Sequence, residues 1–137
     1  AEILEFVTSK FDIDFPMFRL ADFYLMYAEA AVRSGSNVAT GVGYFNQVRQ
    51  RAVGGSSQNV SSLTLDEILD ERGRELYTEG HRRQDLIRFG KFTTGSYLWQ
   101  FKGGEQFGTA LDSKYNLYPL PGADLNANKN LVQNPGY

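Results

Sequence analysis

Cysteine is absent from the 137 residues, and histidine and tryptophan occur once each. Without cysteine there is no disulfide framework, no thiolate nucleophile and no iron–sulfur cluster. One histidine leaves too few ligands for a protein zinc site, so neither a metal nor a cofactor is expected. Charge of one sign is not in excess either. Fourteen Lys and Arg stand against sixteen Asp and Glu, a net charge of −2. Nucleic acid would find no electrostatic footprint on such a chain. Long apolar runs are lacking too: the longest mainly apolar stretch, residues 15–32, is broken by Arg19, Asp22 and Glu29. It is too polar to span a bilayer. The opening Ala1-Glu2-Ile3-Leu4-Glu5 has no initiator Met, basic n-region or cleavage signal, and reads as a mature chain or a fragment. What is present is ordinary for one globular domain, with 42% hydrophobic residues.

Residues 3–15 alternate loosely around Ile3, Phe6, Phe11, Ile13 and Phe15, an extended signal. Pro16 pushes its predecessor out of the α region, so a helix should begin at or after it. Apolar residues then fall at Met17, Leu20, Ala21, Tyr24, Leu25, Ala28, Ala31 and Val32, the spacing of an amphipathic helix running to Gly35. A second set, Phe18, Phe23, Met26, Tyr27 and Ala30, covers most of the remaining surface. Such a helix should be buried nearly all round, by more protein than 137 residues supply. Gly35-Ser36-Asn37 is a stop followed by a candidate N-cap. Val42, Phe45 and Val48 mark a second helix ending before Gly54-Gly55, with Gly41 and Gly43 inside it at about 1 kcal/mol each relative to Ala. The short turn implies an antiparallel pair over residues 16–53, the unit of tetratricopeptide-like arrays. About three such units are needed for stability, which again points to a longer protein.

After a polar loop, Thr64-Leu65-Asp66-Glu67 is a capping box. The third helix carries Leu65, Ile68, Leu69 and Leu76 on one face, an Asp70–Arg74 pair, and a stop at Gly80. A short further turn over residues 85–89 closes at Gly90, so residues 64–90 form a capped helix and turn. Residues 91–137 read as a loop-rich tail, extended at 115–118 ahead of Pro119 and Pro121. The fold class is mainly α.

Three constellations invite chemistry. His81 lies among Glu75, Glu79, Arg82, Arg83, Asp85 and Arg88. Carboxylates can orient an imidazole for acid–base work, but no nucleophile sits in a recognisable setting such as G-x-S-x-G. The preferred reading is a structural ion-pair network locking the third helix to the turn after it. Asp124-Leu125-Asn126-Ala127-Asn128 opens like a calcium loop, yet Lys129 stands where Gly is required and Pro135 where a bidentate Glu is required. Tyr97, Trp99 and Phe101 alternate ahead of Lys102-Gly103-Gly104. These rings read first as pins holding a loop to the core. The alternative is a sugar-stacking surface, with Trp99 the foremost candidate and Tyr97 next.

Three stretches together resemble the C-terminal region of the SusD/RagB family of outer-membrane nutrient-binding lipoproteins of Bacteroidetes. They are the run from Asp14 to Ala30, the run Leu65-Asp-Glu-Ile-Leu-Asp-Glu-Arg-Gly-Arg-Glu-Leu-Tyr-Thr-Glu-Gly-His-Arg-Arg-Gln-Asp-Leu-Ile-Arg-Phe-Gly-Lys91, and Tyr115-Asn-Leu-Tyr-Pro-Leu-Pro121 with the terminal Gln133-Asn-Pro-Gly-Tyr137. Asn46-Gln47-Val48-Arg49 fits the family's second helix. The resemblance implies a SusD-like fold, of which residues 1–137 are the C-terminal part. It also implies glycan or oligosaccharide capture without catalysis, and a SusC-like TonB-dependent transporter as partner. The implied location is the outer membrane's outer surface, through a lipid anchor outside this segment. A helical-repeat protein-interaction module without a small ligand is the alternative function. A hydrolase is disfavoured, because no paired carboxylates stand out from the helix-three charge pattern.

Overall fold

The computed structural model describes residues 17–137, so the extended signal at residues 3–15 lies outside the described residues. Five α-helices are present in that span: α1 (Leu20–Ser34), α2 (Val38–Val53), α3 (Leu65–Glu75), α4 (Arg82–Arg88) and α5 (Gly122–Ala127). Short 3-10 turns occupy Ser56–Gln58, Lys102–Gly104 and Ser113–Asn116, and the described residues contain no strand. None of these helices is long and apolar enough to cross a membrane. The chain divides into two compact units, Ala1–Thr64 and Leu65–Tyr137.

In the first unit α1 and α2 pack against each other. Gly35 closes α1 in the left-handed conformation at φ 67°, where a side chain would be strained. The buried face of α1 consists of Asp22, Leu25, Ala28, Glu29 and Ala31, and that of α2 of Gly41, Phe45 and Val48. Gly41 is a contact point: a Cβ there would lie 3.1 Å from the Ala31 Cβ and 3.2 Å from the Ala28 Cα. The missing side chain lets the two helices approach closely, a gain set against its propensity cost. Tyr44 stacks on Tyr24 at 4.7 Å between ring centroids and meets Tyr27 edge-on at 5.0 Å. Asn46 clips the following loop to α2, donating to the Val60 carbonyl and accepting from the Val60 N–H, both at 2.9 Å. Within these residues the first helix is buried on one face. Phe18, Phe23 and Met26 of its second apolar set are exposed. Asp22 and Glu29, which read as interruptions, are buried, and Glu29 pairs with Arg33 at 2.7 Å.

In the second unit Ile68, Leu69, Leu76 and Leu86 form the apolar core around α3 and α4. The third helix ends at Glu75, five residues ahead of the expected stop. Its termination precedes a reversal in which Thr78 (φ 69°) and Gly80 (φ 80°) both take the left-handed conformation. Arg74 pairs with Glu71 at 2.6 Å instead of with Asp70. The expected turn after Gly80 is the helix α4, which begins at Arg82.

Side-chain amides knit the tail together. Between Pro119 and Pro121, which have no N–H, Leu120 donates to Gln133 Oε1 at 2.7 Å while its carbonyl accepts from Gln133 Nε2 at 3.0 Å. Asn134 Nδ2 donates to the Tyr118 carbonyl at 2.7 Å, and the Tyr137 hydroxyl to the Leu117 carbonyl at 3.0 Å. Two expectations are corrected here. Tyr115 and Asn116 belong to a 3-10 turn that Asp112 caps by accepting from the Lys114 N–H, and only then does Leu117 extend. Asp124, Asn126 and Ala127, read as irregular, lie in α5.

Candidate functional site

The loop after α4 is built around a buried ammonium. Lys102 is 1% exposed, and its Nζ donates to the carbonyls of Thr94 at 2.6 Å, Tyr97 at 2.7 Å and Lys91 at 3.4 Å. The same nitrogen sits 4.7 Å from the centroid of the Trp99 ring. Burial holds the Lys102 pKa below its ordinary value of 10.5, since desolvation penalises the charged form. Backbone bonds close the loop: Lys102 N to Trp99 O at 3.1 Å, Thr109 N to Lys102 O at 3.0 Å, and Leu111 N to Thr93 O at 2.8 Å. Gly108, at φ 81°, passes so near that a Cβ would lie 2.5 Å from the Trp99 carbonyl oxygen.

This framework brings the two candidate ligand contacts together. The rings of Tyr97 and Trp99 lie 6.4 Å apart, and Phe92 lies 6.3 Å from Trp99 with its plane inclined by 24°. Trp99 remains 38% exposed. Tyr97 is half-buried; its hydroxyl accepts from Arg82, and Arg82 and Lys91 lie over its ring at 5.6 and 5.5 Å. Phe101 leaves the alternation: it adopts φ 64° and points its ring to solvent. The Trp99 ring is therefore the more available of the two candidate surfaces.

The charged cluster differs from its expected form. Asp85 is buried at 3% exposure and accepts from Arg72 Nε at 2.9 Å and from Arg88 at 2.6 Å. Arg72, which is 4% exposed and carries no distinguishing signal in the sequence, ties α3 to α4 through this bridge. Arg82 and Arg83 join no ion pair among the described residues. Arg82 donates to the Leu69 carbonyl at 2.7 Å and lies against Gly73, where a Cβ would sit 2.9 Å from its guanidinium. Arg83 donates to the Tyr115 carbonyl at 2.7 Å and lies between Phe92 (5.1 Å) and Tyr118 (4.0 Å). The His81 side chain makes no hydrogen bond or ion pair among the described residues; its backbone carbonyl accepts the Asp85 N–H at the start of α4. Glu75 and Glu79 are half-buried and engaged. The arrangement is thus a buried carboxylate between two arginines, with the neighbouring arginines spent on carbonyls and rings. A small cavity of about 240 Å³ opens beside Arg83, among Phe92, Tyr115, Tyr118 and Tyr137. The described residues hold no group of three metal-ligating side chains.

Known proteins supply the context for this architecture. The model of the SusD family matches residues 7–137. Over 126 residues the chain is 48% identical to the starch-binding protein SusD of Bacteroides thetaiotaomicron, covering 92% of this chain and 22% of that protein. It is 34% identical over 129 residues to the SusD-like protein P2 of Formosa agariphila, covering 87% and 25% respectively. The solved structure of surface glycan-binding protein A from Bacteroides uniformis superposes with a TM-score of 0.72 at 26% identity, over 88% of this chain and 27% of that one. The chain thus spans about a quarter or less of the length of these relatives. With the family model matched through to the last residue and the helical architecture shared, the chain belongs to the SusD family.

Proposed function

We propose that this chain is part of a non-catalytic glycan-capture protein of the outer membrane, with a starch-like α-glucan as its ligand. The observation that carries the reading is the 48% identity, over 92% of the chain, to a starch-binding protein. In this reading the protein is held at the outer surface by a lipid anchor and passes oligosaccharide to a SusC-like TonB-dependent transporter. Trp99, with Tyr97 beside it, is the surface offered to a sugar ring from within this segment. An indole that is partly exposed and fixed by its neighbours presents apolar area without losing side-chain freedom on binding. The alternative, a protein-interaction module without a small ligand, draws support from the exposed Phe23 and Met26 on α1 and Phe18 just before it.

Electrophoresis separates the two readings. The intact protein is expected to migrate more slowly in a native gel containing soluble starch than in a plain gel, relative to a non-binding standard. Equal relative mobility in both gels would favour the interaction module.

A further inference from the structure

We propose that Lys102 is the positioning residue for Trp99, its buried ammonium fixing the indole at the surface of the loop so that the exposed part of the ring meets a saccharide. The proposal rests on the reading of Trp99 as a sugar contact. Its basis is the unusual economy of the loop. Lysine carries three N–H donors, and here three carbonyls within hydrogen-bonding range, from Lys91, Thr94 and Tyr97, converge on them. Among the described residues no carboxylate pairs with this ammonium; the remaining contact is the Trp99 ring at 4.7 Å.

Lys102 also grips Trp99 through the backbone, its N–H bonded to the Trp99 carbonyl at 3.1 Å. One residue thereby holds both the main chain and the ring. Getting from Trp99 to Lys102 requires Phe101 at φ 64°, a conformation that a bulky aromatic residue adopts only where its surroundings over-determine it. The ring released by that turn, Phe101, points to solvent, whereas Trp99 is kept against the ammonium. A loop needing only apolar pins would have no use for a buried cation, because an aliphatic residue would bury more cheaply. The ammonium is what can satisfy three carbonyls and attract an indole face together.

The test is a double-mutant cycle in the intact protein, with maltoheptaose as the calorimetric probe. Trp99→Ala and Lys102→Met are each expected to weaken binding about tenfold, the scale of one aromatic contact. The double variant is expected to bind no more weakly than Trp99→Ala alone, because Lys102 acts through Trp99. Wild-type affinity in Lys102→Met, or a further tenfold loss in the Trp99→Ala background, would overturn the proposal. Lys102→Arg keeps the charge but spreads it over a planar fork that does not match three converging carbonyls, and it should show the same loss. Wild-type affinity in Lys102→Arg would count against the proposal equally. Should Trp99→Ala bind as tightly as wild type, the sugar-contact reading fails by itself. The positioning claim is then decided by Trp99 emission, taken as the difference between each protein and its Trp99→Phe counterpart. Lys102→Met is expected to shift that emission, and an unshifted spectrum refutes the role.

Discussion

Asp85→Ala is expected to destabilise the protein by about 3–5 kcal/mol, because it takes a carboxylate partner from the Arg72 guanidinium in a site where that side chain is 4% exposed. The bridge itself runs at 2.9 Å between two side chains that are each 4% exposed. Its net value against a well-packed apolar pair can be near zero, but breaking it from one side removes charge compensation where water cannot replace it. Arg88 offers an internal control. It reaches the same carboxylate at 2.6 Å, yet its side chain is 42% exposed and solvated. Arg88→Ala should therefore cost only about 0.2–1 kcal/mol. Denaturant unfolding of the two variants against wild type checks the contrast. Equal small losses would mean that the Arg72–Asp85 bridge does not hold α3 to α4.

The second large effect is expected at Phe45, which is fully buried in α2. Phe45→Ala removes a ring from the contact between α1 and α2, where Gly41 has already brought the backbones close. Helices held by so near an approach cannot collapse further into the space, so the cavity term should persist. The expected cost is about 3–5 kcal/mol, read as a lowered unfolding midpoint. Arg49, whose guanidinium lies 5.7 Å from the ring centroid, would lose that contact as well. A loss below about 1 kcal/mol would show that α1 and α2 close up around the gap.

The helices that were legible in the sequence are those with punctuation. Gly35 and Gly54 both sit at φ values open to glycine, and the ends of α1 and α2 fall beside them. Apolar spacing likewise located Leu25, Ala28, Phe45, Val48, Ile68 and Leu69 in the core. What escaped notice depends on partners distant in sequence. Asp85 belongs to the network that the sequence predicts, but its partner Arg72 lies thirteen residues earlier and carries no local mark distinguishing it from the surface charges around it. The reversal after α3 has Thr78 and Gly80 both in the left-handed conformation, and of the two only the glycine is a local stop signal.

Lys102 was the least legible residue of all. A lysine before Gly103-Gly104 reads as a solvated loop charge, since the carbonyls that enclose it come from residues five to eleven positions earlier. For the same reason Trp99 could be singled out as a flat apolar face, but its attachment to an ammonium could not. The tail lacks periodicity, so its local pattern predicts irregular structure. Its order comes from Gln133 and Asn134 bonding the backbone of residues 118–120, a pairing across more than a dozen residues that no local pattern announces.

The most direct test of a non-catalytic glycan-capture protein is a calorimetric titration of the intact protein with maltoheptaose, with the sugar recovered and sized afterwards. Saturable heat of binding with the heptasaccharide recovered at full length is the predicted result. Absence of binding heat, or recovery of shorter oligosaccharides, would contradict it.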